Sequence, residues 1–182
     1  MNELLNIILS GLFFILPAGI ANMVPVFVKD LKFLNIPIDN NKTFRGKPIF
    51  GKNKTWRGLV FATLAGGLVF YLQRFLLGIN FFKEISIIDY AAAPILLGFL
   101  LGFGAIFGDL IESFFKRQLN IKSGRPWPVF DQMDFVIGAL LFSFIIFIPP
   151  WQIVVAILVV TPILHPILSF LGYYLGLKKD KW

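Results

Sequence analysis

The 182-residue chain has no cysteine and a single histidine. Disulfides are excluded, and a zinc site built from Cys and His has lost its ligand types. The one histidine, His165, lies between Pro162 and Pro166 in an apolar run. It reads as packed structure, so no Ser-His-Asp arrangement is expected near a site. Acids are also scarce, ten Asp and Glu against seventeen Lys and Arg, for a net charge of +7. A metal ion in this chain has to be held by carboxylates, which points to magnesium, manganese or calcium.

What the chain has instead is apolar length. The hydrophobic fraction is 57% and the mean hydropathy +0.79, above the roughly 45–50% of a soluble domain. Five runs read as membrane helices, each needing about 20 apolar residues for ~30 Å of hydrocarbon. They cover about Leu4–Val28, Leu59–Leu77, Tyr90 into Asp109, Phe135–Ile148 and Trp151–Leu177. The first has Glu3 where a signal peptide carries bases and reads as a retained helix, with kinks at Pro17 and Pro25. Its Asn22 reads as an interhelical hydrogen-bonding group. Gly98, Gly102, Ala105 and Gly108 form a small-residue seam suited to close helix approach, and such seams would permit a homodimer.

Fifteen of the seventeen Lys and Arg fall in Lys29–Arg57, Glu112–Arg125 and the C-terminal tail; only Arg74 and Lys83 fall elsewhere. By the positive-inside rule these segments are cytoplasmic and the N-terminus is outside. The expectation is an all-α integral membrane protein of five transmembrane helices. Residues 1–182 form one domain, with cytoplasmic loops at about 29–57 and 112–131. The bases lie in short loops between spans, so nucleic acid is a poor partner.

Two constellations carry chemistry. Asp109, Glu112, Ser113, Lys116 and Arg117 follow helical spacing and share one face. Asp131 and Asp134 open the next apolar run. Acids at a membrane boundary are costly unless paired, solvated or metal-bound, and one or two carboxylates plus substrate phosphates suffice for a nucleotide-bound magnesium. Helix capping by Asp131, with Asp134 in the first turn, is the competing reading. The second constellation is basic: Lys52, Lys54 and Arg57, then Lys116, Arg117, Lys122 and Arg125. Its plainer reading is topological charge or attraction to anionic lipid. Gly51-Lys-Asn-Lys-Thr55 stands just before an apolar helix, however, where backbone N–H groups favour an anion. Trp56 reads as an interfacial anchor.

The ordered residues Lys52-Asn-Lys-Thr-Trp-Arg-Gly58, Gly108-Asp-Leu-Ile-Glu-Ser, Lys116-Arg117, Lys122 and Asp131-x-x-Asp134 resemble the membrane cytidylyltransferases that make CDP-activated phospholipids. Bacterial and eukaryotic CDP-diacylglycerol synthases are longer. They carry Lys-Asp where this chain has Lys122-Ser123, and a His-Gly-Gly where it has Trp127-Pro-Val-Phe. The small size and these departures resemble the archaeal branch, the CDP-archaeol synthases. The resemblance implies an enzyme in the cell membrane, its active site facing the cytoplasm. Its substrates would be CTP and 2,3-bis-O-geranylgeranyl-sn-glycerol 1-phosphate, its products a CDP-lipid and pyrophosphate. Asp109, Asp131 and Asp134 would then hold Mg2+, with Glu112 a further candidate. Lys52, Lys54, Arg57, Lys116, Arg117, Lys122 and Arg125 would hold phosphates, and Asn53, Thr55 and Ser113 would orient phosphate or ribose oxygens. The alternatives are a synthase acting on phosphatidate, a CTP-dependent polyprenol kinase, and a non-enzymatic membrane protein.

Overall fold

Glycines decide how the helices meet. In the computed structural model, which describes residues 2–174 with side chains through Leu164, the helix α4 (Leu96–Gln118) lies between α2 (Trp56–Leu76) and α5 (Phe130–Ser143). A Cβ at Gly66 would come within 2.6 Å of the Gly98 carbonyl oxygen, and one at Gly104 within 2.5 Å of that of Gly138. Backbones in such contact leave no room for side chains, and this is how helices associate tightly without a hydrophobic driving force between them. A Cβ at Gly108 would collide with the Asp134 carbonyl, so the seam between α4 and α5 runs directly into the acidic residues.

The N-terminal helix α1 (Glu3–Phe27) packs across α2, α4, α5 and α6 (Trp151–Tyr174). It contains Pro17, which has no N–H to offer the carbonyl four residues back, that of Phe13. Gln73 of α2, almost fully buried, donates its Nε2 to that carbonyl at 2.5 Å. A polar residue in the apolar core thus satisfies a group that the proline orphaned.

Three helices, α1, α2 and α4, are long and apolar enough to cross a membrane, and α6 presents a shorter apolar stretch over Trp151–Leu164. With its 14 residues α5 is shorter still. It spans about 21 Å at 1.5 Å per residue. The protein is all-helical and multi-pass apart from one small hairpin, β1 (Thr43–Phe44) and β2 (Lys47–Pro48), paired antiparallel. Its two-residue turn, Arg45-Gly46, has positive φ at both positions, which suits the twist of paired strands.

Several boundaries differ from those expected. The third apolar run was expected to become helical near Tyr90, yet α4 begins at Leu96, after Pro94. Pro94 cannot donate to a preceding turn, and its carbonyl accepts Leu97 N–H as the helix opens. Tyr90 stays in the connection, fully buried, with its ring 5.2 Å from those of Phe13 and Phe70. That connection also holds a short helix, α3 (Asn80–Glu84). The helix α5 ends at Ser143, earlier than Ile148. The side chain of His165 and the basic tail from Lys178 lie outside the described residues.

Candidate active site

The last turns of α4 carry their polar residues inward. Glu112, Ser113 and Lys116 are buried, whereas Ile111 and Phe115 are exposed. This inverts the pattern of a surface helix in water and fits a helix whose outer face meets lipid. The glycine contact between Gly108 and Asp134 then brings α5 close enough for three acids to converge. Oxygens of Asp109, Glu112 and Asp134 lie within 4.8 Å of one another. An oxygen-only set of this kind suits a hard divalent cation such as magnesium or calcium.

Two lysines neutralise this acidic floor. Lys54 Nζ reaches both oxygens of Asp109, at 2.6 and 2.7 Å. Lys116 Nζ sits 2.9 Å from Glu112 and 2.6 Å from Asp131. The other oxygen of Asp131 accepts Trp127 N–H at 2.8 Å, so Asp131 ties the start of α5 to Lys116, and its carboxyl lies within hydrogen-bond reach of Glu112, one of the three convergent acids. Asp134 also accepts the N–H of the next residue, Phe135, at 2.6 Å. The expected acids are therefore all at one end of the bundle, with Glu112 rather than Asp131 beside Asp109 and Asp134.

The remaining bases differ in their burial. Lys52, Lys122 and Arg125 are exposed on the loops. Arg117 is half-buried and passes beside Gly51. Arg57 is buried and its guanidinium donates to the Leu31 carbonyl, fastening the start of α2 to the preceding loop. Thr55 is the N-cap of α2: its hydroxyl accepts Gly58 N–H at 3.3 Å. Asn53 donates to Ser123 at 3.1 Å and so joins the two loops. A small cleft lies against these residues, lined by Asn53, Lys54, Thr55, Asp109, Leu59 and Pro25. Trp56 is partly exposed at the head of α2, compatible with an interfacial position.

One residue of this region was not expected at all. Asp39 is 6% exposed, yet no ion pair among the described residues includes it. Its carboxylate accepts three backbone N–H groups, those of Asn41, Phe50 and Gly51, each at 2.9 Å. Burial acts to raise its pKa, but the N–H groups of Gly51, Phe50 and Asn41 outweigh burial and hold the carboxyl below its ordinary value. In the sequence, Asp39-Asn40-Asn41 carries only a turn signal; the partners eleven and twelve residues on are visible only in the fold. Lys47 was likewise unassigned, and its Nζ donates to the Gln118 carbonyl at 2.5 Å, closing the hairpin onto the end of α4.

A helix bundle packed on glycines, with convergent acids and lysines at one end, defines a class: an intramembrane enzyme of all-helical, multi-pass type. Comparison with known proteins narrows it. A solved structure of an intramembrane enzyme for archaeal membrane lipids biosynthesis superimposes with a TM-score of 0.69 at 28% identity, covering 87% of this chain and 91% of that one. Residues 4–182 match the family model described as CarS-like, CDP-archaeol synthase. The CDP-archaeol synthase of Methanocaldococcus jannaschii is 36% identical over 97% of this chain and 98% of its own length. One from Methanococcus maripaludis is 39% identical over 99% of both. The chain belongs to the CDP-archaeol synthase family.

Proposed function

We propose that this chain, a nucleotidyltransferase of lipid biosynthesis, transfers CMP from CTP to an unsaturated isoprenoid ether lipid phosphate, 2,3-bis-O-geranylgeranyl-sn-glycerol 1-phosphate. An oxygen of the lipid phosphate attacks the α-phosphorus of CTP. The bond from that phosphorus to the bridging oxygen breaks, and pyrophosphate leaves. The nucleophile is already an anion, so no general base is required. Catalysis then consists of holding two anions in line and neutralising their charge.

The observation that carries this reading is the pairing of Lys54 with Asp109 at the edge of a three-carboxylate cluster. A nucleoside triphosphate with its cation needs both signs of charge within a few ångströms. Asp109, Glu112 and Asp134 fit the role of Mg2+ ligands by their oxygen donors and convergence. When bound, the ion would screen the triphosphate and help the pyrophosphate depart. Lys54, freed from Asp109, and Arg117 would take phosphate oxygens, and Lys116 would keep Asp131 and Glu112 in register. Lys52, Lys122 and Arg125 would attract the nucleotide and the lipid phosphate from the loop surfaces, with Asn53 and Ser113 orienting oxygens. We place five crossings in the membrane, α1, α2, α4, α5 and α6, with the N-terminus outside and both loops in the cytoplasm; the loop bases support this orientation.

A product assay tests the proposal. Purified protein in detergent receives labelled CTP, magnesium and either an isoprenoid ether or an acyl ester lipid phosphate. The expected result is a CDP-lipid with one pyrophosphate per turnover, the ether lipid preferred, and no product with EDTA. Release of CDP with phosphate on an alcohol would replace the reading with a kinase. Preference for the ester lipid would move the substrate to phosphatidate.

A further inference from the structure

We propose that Asp39 is a positioning residue for nucleotide binding: its carboxylate sets the turn from Phe50 to Lys54 and so places the Lys54 ammonium. The inference rests on the nucleotide-binding role given above to Lys54. It begins with a geometric oddity. Gly51 has φ of +96°, a conformation that costs a non-glycine residue steric strain, and its N–H points at Asp39 Oδ2. The Phe50 N–H meets the same oxygen. Two successive amides converging on one atom fix the orientation of both peptide planes.

From there the path to the site is short. The Gly51 carbonyl accepts Lys54 N–H at 3.1 Å, closing the turn. The Lys54 carbonyl accepts the N–H of Ile38, the residue before Asp39, at 2.8 Å. Trp56 N–H bonds to Ile36, and Pro37 bridges Thr55. Lys54 is thus held on one side by the turn that the Asp39 carboxylate fixes and on the other by the strand that leads into Asp39, and its side chain ends on Asp109. Among the described residues the Asp39 carboxylate meets backbone N–H groups and no side-chain cation, so no ion pair has to break there when phosphates arrive. A lysine on a floppy loop pays side-chain and backbone ordering on binding ligand; a lysine on this turn has paid the backbone part on folding.

The test is a double-mutant cycle on full-length protein in detergent, with CTP binding measured in the presence of magnesium and thermal stability followed in parallel. Lys54→Met is expected to weaken CTP binding about 10- to 100-fold, as loss of a charge-assisted phosphate contact does. Asp39→Asn keeps one oxygen acceptor and sets its NH2 against the donors of the other position, either the Asn41 N–H or the Phe50 and Gly51 pair, and is expected to weaken CTP binding about 10-fold. If Asp39 acts through Lys54, the double variant binds CTP no more weakly than Lys54→Met within about twofold. Gly51→Ala strains the same turn without touching the carboxylate, and among the described residues only Arg117 Cδ, 3.9 Å away, would meet its methyl group. It is expected to reproduce the Asp39→Asn loss and the same non-additivity, which keeps the idea testable should Asp39→Asn fail to fold. Independent, additive losses, or full CTP affinity in both turn variants, would overturn the proposal. If instead Lys54→Met leaves CTP binding unchanged while the turn variants weaken it, positioning through Lys54 is overturned although CTP still binds. No CTP binding by the unaltered chain would remove the nucleotide reading and this inference with it.

Discussion

The two loops that carry the bases are built in opposite ways. The first, between α1 and α2, is knitted from within. A hairpin, the antiparallel run of Ile36–Ile38 beside Lys54–Trp56, and three N–H groups on Asp39 account for much of its backbone. The second, between α4 and α5, is tied mainly at its ends. Ile121 N–H bonds to the Lys116 carbonyl and Trp127 N–H to Asp131. The stretch Lys122–Pro126 between them is exposed. Asn53–Ser123 is the side-chain hydrogen bond that joins the two. Under the nucleotide binding proposed above, the contrast predicts two jobs that charge alone would blur: a preformed loop would recognise, because its ordering cost is already met, while a loosely held one would close after the ligand arrives.

The largest expected effect strikes the floor beneath both loops. Gly108→Ala puts a methyl group into the Asp134 backbone; overpacking of this kind costs about 1–3 kcal/mol or more and should lower turnover by about 100-fold, since geometry errors near 1 Å cost that much. Product formation measured beside thermal stability checks it, and near-normal turnover would mean that the α4–α5 seam does not place the acids. A smaller effect divides the loops. Lys54→Met should raise KM for CTP by about 10- to 100-fold, and Lys122→Met by less than about 5-fold, because an exposed loop base contributes only screened attraction. Equal effects would erase the distinction between recognition and closure.

The smallest effect is a pH response confined to the first loop. The Asp39 carboxyl is held below its ordinary value. Its contribution to loop order is therefore complete above about 3.9, the unfolded value, and is lost as pH falls through the lower, folded one. Protection factors for hydrogen exchange at the Phe50 and Gly51 amides should hold down to pH 4 and fall below it, while those of the Lys122–Gly124 amides stay near one throughout. In Asp39→Asn the acid-dependent step should vanish; its persistence would assign the step to another carboxyl.

The polar face from Asp109 to Arg117 was legible in the sequence because helical spacing is a local property, and the structure turns that face inward. The apolar runs were legible for the same reason, though α4 starts later and α5 stops earlier than hydropathy suggests. Asp39 was not legible. A carboxylate that binds N–H groups eleven and twelve residues on has the sequence signature of any turn. The grouping of Glu112 with Asp134, and of Asp131 with Lys116, was also hidden, because it depends on the rotation at which α5 docks through Gly104, Gly108 and Gly138. Arg57 shows the converse: it sits in a basic motif, yet its buried guanidinium holds the Leu31 carbonyl.

The bond from Gln73 to the Phe13 carbonyl has a mechanical consequence. A sliding or rolling of α1 against α2 would strip that carbonyl of its donor in a region without water, at a cost of several kcal/mol. The two helices therefore move as one latched plate. A sideways opening for a lipid tail between helices, if the bundle uses one, would hinge along a different seam.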